Sequence, residues 1–408
     1  MSTDLSKAAS VAAPRWPVLL GVWLVYFSFG LTAASMAPLV SNIRQDIAVN
    51  NAVIGLILGA WPITYIVCAI PCGLLLDRIG ARRMLAMATL IMAASAVARS
   101  VADTPVTLFL SVALFGAGGP MISVGAPLVI ARLYQGSARA TAMGLYVTGP
   151  YLGGLVALAA TNSLLMPLVG GNWRAVMLIN AGLVLASGAI WLLVSVLRAA
   201  DLKPGAGGKK YNLKAFSEIL NVQRVRLILC ISVGIFFINH GLNNWLPEVL
   251  RSYGYSAVAA GYWASVPAAF GVLGALIIPR FAVNSRQFIA LGGLIAAVFL
   301  ASVLLQSDRN GMVATALVLQ GLARGSMMTV AIMILMDTPG VPAERLGLAG
   351  GMFFAAAEIG GVLGPVTFGT LAHLTDGFAA SLSAITAVSL ILILLLNVLR
   401  RQADQQPS

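Results

Sequence analysis

Gly73-Leu74-Leu75-Leu76-Asp77-Arg78-Ile79-Gly80-Ala81-Arg82-Arg83 joins two long apolar runs with almost no spacer between them. The first run begins before Tyr65, and the second starts directly after Arg83. Glycine permits a tight turn, and arginines in a short loop between membrane-length helices mark the cytoplasmic side. The segment therefore indicates a helical hairpin that crosses the membrane twice, rather than part of a soluble core.

Composition extends this interpretation to the whole chain. Hydrophobic residues make up 59% of the 408 residues, and charged residues only 9%. Apolar runs of about 20 residues can cross a bilayer as helices, and their lack of alternation argues against a membrane β-barrel. The sequence therefore predicts an all-α polytopic membrane protein with twelve transmembrane helices, centred near Phe29, Trp61, Met92, Gly118, Leu152, Val184, Phe236, Phe270, Leu294, Ala323, Ile359 and Leu390.

The placement of charge predicts the orientation. An even number of helices puts both termini on one side, and with that side in the cytoplasm most of the 25 Lys and Arg residues are cytoplasmic. This is the asymmetry that the positive-inside rule requires. The opposite side receives Arg44, Arg99, Arg174, Arg251 and Arg309. We therefore expect a multi-pass protein of a bacterial-type inner (plasma) membrane with both termini cytoplasmic.

Several function classes are disfavoured. The net charge of +12 is dispersed over short loops that flank the membrane, so contact with membrane lipid explains it better than nucleic-acid binding. The sequence contains no phosphate-binding loop, no cluster of metal ligands and no nucleophile beside a base. We therefore expect neither an enzyme nor a resident cofactor or metal.

The two halves of the chain follow one plan. Glycines and prolines recur in the same order in both halves, as in Gly149-Pro150 and Gly364-Pro365, which is typical of parallel structural repeats. The longest hydrophilic stretch separates these halves. The predicted organisation is a cytoplasmic tail at 1–16, a six-helix bundle at 17–198, a cytoplasmic linker at 199–226, a second six-helix bundle at 227–400 and a tail at 401–408.

With these features in place, the chain resembles a major facilitator superfamily transporter over essentially its whole length. Residues 73–83 are similar to the family's loop between helices 2 and 3, and residues 149–154 to its glycine-proline motif in helix 5. A looser likeness to the cyanate/nitrate-type anion branch lies in residues 37–40, 116–133 and 243–247. The resemblance implies the major facilitator fold, with two pseudo-symmetric six-helix bundles, secondary active transport by alternating access, and helices 7 and 10 on a central cavity.

The hairpin and the glycine-proline motifs are the candidate gating residues. Asp77 suits the positive end of a neighbouring helix, and the arginines could bind lipid headgroups or carboxylates of the other half, unless they only set topology. Glycines allow close helix approach and Pro150 allows a bend, which we interpret as hinges between the halves, with close packing as the alternative. The candidates are Gly73, Asp77, Arg78, Gly80, Arg82, Arg83, Gly149, Pro150, Gly153, Gly154, Gly364 and Pro365.

Three ionisable residues, His240, Arg324 and Glu358, lie near the middle of predicted helices. A charge there costs about 2.5–3.5 kcal/mol on insertion scales, so these side chains should face the interior. Arg324 could bind an anionic substrate through two parallel hydrogen bonds, or it could form a permanent ion pair with Glu358. Burial favours a neutral carboxyl group, so Glu358 could instead carry a proton through the transport cycle.

Together these residues predict a transporter of a small organic anion, with H⁺ as the cotransported ion, acting as a monomer. The alternative is a proton-coupled exporter of neutral or cationic lipophilic compounds, which would place the ligand on Glu358 instead of Arg324. A non-transporting membrane sensor is a third possibility. The predicted substrate-binding residues are Arg324, His240, Asn239, Asn243, Tyr26, Thr32, Tyr146 and Tyr151, with Glu358 for proton coupling.

Overall fold

The computed structural model of the protein describes residues 15–199, 202, 213–282, 286–342 and 345–404, without the side chains of residues 70, 74, 77, 137, 140, 213, 214 and 404. The described chain is helical. Its helices are Trp16–Ala34, Ala37–Leu39, Val40–Ile47, Asn51–Leu58, Ala60–Ser100, Pro105–Leu133, Gly136–Ala160, Thr161–Leu165, Met166–Leu168, Trp173–Val196, Leu213–Asn221, Gln223–Ser252, Ala257–Phe281, Arg286–Leu304, Asn310–Met336, Leu346–Leu374 and Ala379–Asp404.

Twelve helical segments of the described chain are long and apolar enough to cross a membrane, which confirms the predicted fold class. We call them spans 1 to 12. Their bounds are Trp16–Ile47, Asn51–Ala69, Arg78–Ser100, Pro105–Leu133, Thr141–Leu168, Trp173–Val196, Gln223–Ser252, Ala257–Phe281, Arg286–Leu304, Asn310–Met336, Leu346–Leu374 and Ala379–Ala403.

The two halves repeat one packing pattern. Span 1 packs on span 5 and span 3 on span 6, and in the second half span 7 packs on span 11 and span 9 on span 12. The halves meet where span 2 contacts span 11 and span 5 contacts span 8. We call the side of the bundle where span 1 begins and span 12 ends the termini side, and the opposite side the far side.

The hairpin between spans 2 and 3 turns at Gly80, whose φ of 77° and ψ of 162° interrupt the segment Ala60–Ser100. Residues with a Cβ rarely adopt this backbone conformation, so glycine is favoured there. Arg82 Nε donates a hydrogen bond to Ser195 Oγ at 3.1 Å, and its carbonyl accepts one from Trp191 Nε1 at 3.0 Å. Both partners belong to span 6, so Arg82 fixes the hairpin to its own half. Its predicted contact with lipid headgroups or with carboxylates of the other half in another conformational state stays a prediction.

Arg78, Arg83 and Asp77 are the other charged candidates of the hairpin. Arg78 and Arg83 are exposed, as arginines at a membrane surface should be. The Asp77 side chain lies outside the described residues, so its predicted contact with a helix end stays a prediction.

Gly149 and Gly153 of helix 5 and Gly364 of helix 11 pack against helices of their own half. A Cβ at Gly149 or Gly153 would meet the backbone of span 1 around Phe27. A Cβ at Gly364 would overlap the carbonyl oxygen of Phe237 in span 7. This close backbone approach is what small residues provide in membrane helices. These contacts fit the close-packing alternative, and the role of these glycines as hinges stays a prediction.

Pro365 differs, because it does border the other half. A Cβ at Gly55 of span 2 would lie 2.6 Å from the Pro365 carbonyl oxygen and 3.3 Å from Gly369 Cα. The same carbonyl accepts a hydrogen bond from Trp245 Nε1 at 3.1 Å. Because a proline has no N–H group, the carbonyl one turn before it lacks its usual helical hydrogen bond. The contacts described here involve a different carbonyl, that of Pro365 itself, which faces spans 2 and 7.

The span 1–span 5 contact gives the first test. Gly153→Ala should destabilise the protein by about 1–3 kcal/mol, the usual cost of overpacking, because the added methyl group meets the Phe27 carbonyl oxygen. Gly182→Ala is the matched control, since Gly182 is an exposed glycine of span 6 with no described heavy atom within 4 Å of a Cβ. It should be neutral or slightly stabilising. Thermal unfolding in detergent measures both, and equal melting temperatures would contradict the assigned contact.

Candidate functional site

A cavity of about 200 Å³ lies between the two halves. Spans 1, 2, 4 and 5 line it from the first half, and spans 7, 10 and 11 from the second. Spans 7 and 10, which the resemblance placed on a central cavity, are among them. The position suits a ligand site in a repeat transporter, where substrates bind at the interface of the repeats.

The second half supplies the charged wall. Arg324, His240 and Glu358 all line the cavity, although they come from three different spans. His240 Nδ1 lies 4.0 Å from Glu358 Oε2, and neither atom has a hydrogen-bond partner in the described part of the chain. The pair is therefore close enough to exchange a proton through one small bridging group.

Arg324 stands apart from this pair. In the described ranges no carboxylate oxygen lies within 4.0 Å of its guanidinium group. It is close enough to Tyr151 and His240 to interact with both electrostatically. The permanent Arg324–Glu358 ion pair, which the sequence left open, is not formed in this structure.

Span 7 adds amide groups to the wall. Asn239 and Asn243 line the cavity as predicted, and the Asn239 Oδ1 atom is buried without a described partner. Asn244 also lines the cavity and was missed by the sequence-based prediction. Its Nδ2 donates a hydrogen bond to the His240 carbonyl at 2.8 Å, which stiffens the segment that carries His240. The polar run around His240 was the signal that could have included it.

The first half supplies an aromatic wall. Tyr26 and Tyr151 line the cavity, and Tyr146 supports it from behind by stacking on Tyr26 with ring centroids 5.5 Å apart. Trp61 crosses to the second half and stacks on the His240 ring at 5.2 Å. Further lining rings outside the predicted set are Phe29, Tyr65, Phe236 and Phe354. Apolar rings in apolar helices give no sequence signal that separates cavity from core.

Thr32 is a correction to the predicted set. Its side chain is fully buried, and Oγ1 donates to the Ser28 carbonyl of its own helix at 2.8 Å. A threonine inside a helix commonly forms this bond to the carbonyl four residues earlier. The hydroxyl group is thereby satisfied and does not reach the cavity.

Arg99 lies one residue before the far-side end of span 3, on the side where the charge placement predicted it, and the structure adds that it is buried. It is 2% exposed, and its Nη1 donates to the Thr32 carbonyl at 3.2 Å and to Ser35 Oγ at 3.4 Å. The last carbonyls of a helix lack intrahelical partners and carry negative partial charge. Arg99 therefore caps the helix Trp16–Ala34 from inside, with Phe115 5.4 Å from its guanidinium carbon.

On the far side the halves are held together by polar contacts. Ser41 Oγ lies 2.9 and 2.7 Å from the two oxygens of the buried Glu248 carboxylate. Asn162 Nδ2 donates to the Ala257 carbonyl at 3.3 Å. The contact between spans 2 and 11 at Gly55 lies at this end as well. These contacts close the far side of the cavity.

Toward the termini side, a Cβ at Gly144 of span 5 would lie 3.7 Å from Leu276 Cδ2 of span 8, whereas the neighbouring glycines on the span 2 and span 11 side show no such contact. At Gly73, four residues after the end of span 2, and at Gly347, Gly350 and Gly351 of span 11, a Cβ would have no described heavy atom within 4 Å. The glycine contacts between spans 2 and 11 thus lie at Gly55 and Gly59 and not at these four positions.

Two related six-helix halves around a charged cavity define an integral membrane transporter. The family model described as Major Facilitator Superfamily matches residues 22–365. The chain therefore belongs to the major facilitator superfamily, which confirms the resemblance and the expectation of a transporter rather than an enzyme. The looser likeness to the cyanate/nitrate branch stays a prediction.

Curated relatives cover nearly the whole chain at low identity. The uncharacterized transporter YycB of Bacillus subtilis (strain 168) is 23% identical, covering 92% of this chain and 91% of that protein. The probable galactarate/D-glucarate transporter GudP of Escherichia coli (strain K12) is 24% identical over 96% and 95%. A quinolone resistance transporter of Acinetobacter baumannii is 25% identical over 96% and 94%.

Solved structures support the fold. The D323A mutant of the nucleoside transporter NupG matches with a TM-score of 0.76 at 16% identity, over 94% of this chain and 99% of that one. A bacterial homologue of the human lysosomal transporter Spinster, in an inward-facing and unoccupied conformation, matches with a TM-score of 0.71 at 17% identity, over 96% and 98%. At these identities the likeness shows the fold alone.

Proposed function

We propose that the protein is a secondary transporter that moves a small organic anion by alternating access. The observation that carries this proposal is Arg324, a guanidinium group at the cavity with no carboxylate within 4.0 Å in the described chain. A permanent charge inside a membrane protein is costly unless it is neutralised. A carboxylate on the substrate neutralises it and matches the two parallel donors of the guanidinium group.

The relatives lend support. GudP of Escherichia coli is named for galactarate and D-glucarate, which are organic anions. Five other predicted binding residues surround the same cavity: Tyr151 interacts electrostatically with Arg324, and His240, Asn239, Asn243 and Tyr26 contribute to the polar part of the lining.

We further propose that Glu358 couples transport to protons. Glu358 and His240 face each other at 4.0 Å, and each presents an atom without a described partner. A buried carboxylate without a partner is unfavourable, whereas the protonated acid is tolerated. Glu358 would therefore bind a proton when the cavity is sealed and release it when water enters.

One observation favours the second candidate function, export of a neutral or cationic lipophilic compound. The unpaired Glu358 carboxyl group lies in the same cavity as several aromatic rings, and a cation could bind to this acid and those rings. The quinolone resistance transporter among the relatives fits this alternative. Both candidates use one cavity and differ in which charge meets the ligand.

For the orientation, we propose that the termini side faces the cytoplasm of a bacterial-type inner membrane. The exposed Arg78 and Arg83 on this side would then contact anionic lipid headgroups. On this assignment the far side faces outward, and the Ser41–Glu248 contact breaks when the far side opens.

Uptake by proteoliposomes tests the proposed function. Purified protein is reconstituted and preloaded with a mixture of small carboxylates, and entry of each labelled compound is followed by counterflow. We expect entry of at least one organic anion and none of neutral or cationic compounds of similar size. Flux of cationic lipophilic compounds with no flux of any carboxylate would overturn the anion proposal in favour of the exporter.

A further inference from the structure

We infer that the cargo is a small aromatic monocarboxylate, an inference that rests on the proposed anion transport. The geometry behind it is the division of the cavity into two walls. One wall carries the guanidinium group of Arg324, and the other carries the rings of Tyr26, Phe29 and Trp61. A ligand that satisfies both walls has one anionic end and one flat apolar body.

The charged side chains that line the cavity favour a ligand with a single carboxylate. Arg324 is the permanently charged cation among the described lining residues, and Glu358 is an acid in the same lining. A dicarboxylate would leave its second carboxylate without a permanently charged partner in the described lining, and it would repel Glu358 whenever that acid is ionised. A monocarboxylate avoids both costs.

The aromatic wall is preorganised by contacts among its own rings. Phe29 stacks on Phe115 with centroids 5.1 Å apart and meets Trp61 edge-on at 5.9 Å. Trp61 also meets Tyr65 edge-on at 6.2 Å. Rings fixed in this way lose little freedom when a ligand binds, and they favour stacked or edge-to-face contact with another aromatic ring.

Cavity size fits one ring with a carboxylate. The cavity measures about 200 Å³, and an engineered protein cavity of roughly 150 Å³ is large enough to bind benzene. The difference leaves room for a carboxylate group.

The same cavity is poorly suited to a polyhydroxylated acid. Apart from the ionisable and tyrosine side chains, the described lining offers the side chains of Asn239, Asn243, Asn244 and Ser123 as hydrogen-bond partners. Asn244 already uses its amide nitrogen for the His240 carbonyl. A sugar acid would bury several hydroxyl groups against rings, and each unpaired hydroxyl group weakens binding.

Binding of four probes to the purified full-length protein tests the inference. Benzoate, cyclohexanecarboxylate, D-glucarate and benzyl alcohol are compared by isothermal titration calorimetry. Benzoate should bind most tightly, with cyclohexanecarboxylate weaker by about 3- to 10-fold because it keeps the charge and loses the aromatic contacts. D-glucarate and benzyl alcohol should show at least tenfold weaker binding than benzoate.

Variants show whether the rings cause the preference. Trp61→Leu and Phe29→Leu should each lower the ratio of benzoate to cyclohexanecarboxylate affinity toward one, and a melting curve verifies that each variant is folded. Tyr262→Leu is the control, because Tyr262 is 51% exposed on the outside of span 8, and it should leave the ratio unchanged.

The outcomes separate this inference from the proposed function. Equal affinity for benzoate and cyclohexanecarboxylate, or tighter binding of D-glucarate, would overturn the aromatic monocarboxylate while leaving anion transport intact. Benzyl alcohol binding as tightly as benzoate would overturn the anion proposal itself, since the carboxylate would then contribute nothing. An unchanged affinity ratio in folded Trp61→Leu and Phe29→Leu proteins would remove the aromatic wall as the cause.

Discussion

Replacement of Arg324 by alanine is expected to weaken binding of the transported anion by at least about 30-fold and to abolish measurable uptake at micromolar substrate. Truncating one member of a buried charge pair costs about 2–5 kcal/mol, and 2 kcal/mol corresponds to roughly 30-fold in affinity. No other permanently charged cation in the described lining can take over the role.

Arg324→Lys refines this test. Lysine keeps the positive charge but presents it as a point charge without the planar fork that binds a carboxylate through two hydrogen bonds. Binding should therefore be intermediate, about tenfold weaker than in the parent protein. If charge alone were required, the lysine variant would match the parent.

The matched control for both variants is Arg309→Ala. Arg309 is exposed directly before the first residue of the helix Asn310–Met336 that carries Arg324, so it tests loss of an arginine on the same helix outside the cavity. Titration calorimetry and proteoliposome uptake are measured for all three proteins. Anion affinity that survives in a folded Arg324→Ala protein, as shown by an unchanged melting curve, would contradict the anion-binding role.

Structural features that depend on one segment of the chain could be predicted from the sequence. The length of the apolar runs predicts the transmembrane helices, because a segment that crosses the bilayer must form its backbone hydrogen bonds within itself. The Gly80 turn was predictable because glycine and arginine lie between two such runs. The approximate cavity positions of His240, Arg324 and Glu358 followed from the cost of a charge in lipid.

Contacts between segments could not be predicted in the same way. Gly149 and Gly153 show that close approach occurs, but the sequence does not say that span 1 is the partner. Arg99 lies at the end of an apolar run. From the sequence alone, an arginine at such a position could lie in an exposed loop or could be buried as the cap of another helix, and the structure shows the second arrangement. Thr32 has a hydroxyl group that its own helix satisfies, which only the side-chain geometry reveals.

The relation between Arg324 and Glu358 is the clearest case. Their sequence positions on neighbouring spans allow either a permanent ion pair or separate roles. The depth and rotation of spans 10 and 11 decide between these arrangements, and both are set by packing against other helices. In this structure Glu358 instead approaches His240 of span 7, which is compatible with the separate roles proposed for the acid and the guanidinium group.

This separation leads to the second large prediction. Glu358→Gln should abolish accumulation driven by a proton gradient while leaving exchange of substrate across the membrane intact, because glutamine keeps the shape of the side chain and cannot carry a proton. In the parent protein, a gradient that is acidic on the far side should drive accumulation toward the termini side. Protons would load Glu358 from the acidic side and leave on the other.

Proteoliposomes with an imposed pH gradient measure accumulation, and counterflow without a gradient measures exchange in the same preparation. Asp308→Asn is the control, because Asp308 is an exposed carboxylate in the loop before span 10 and its loss should leave both rates unchanged. If the folded Glu358→Gln protein still accumulates substrate against its gradient, the proton is carried elsewhere. His240 would then be the next residue to test, since its Nδ1 is the nearest ionisable partner of the Glu358 carboxyl group.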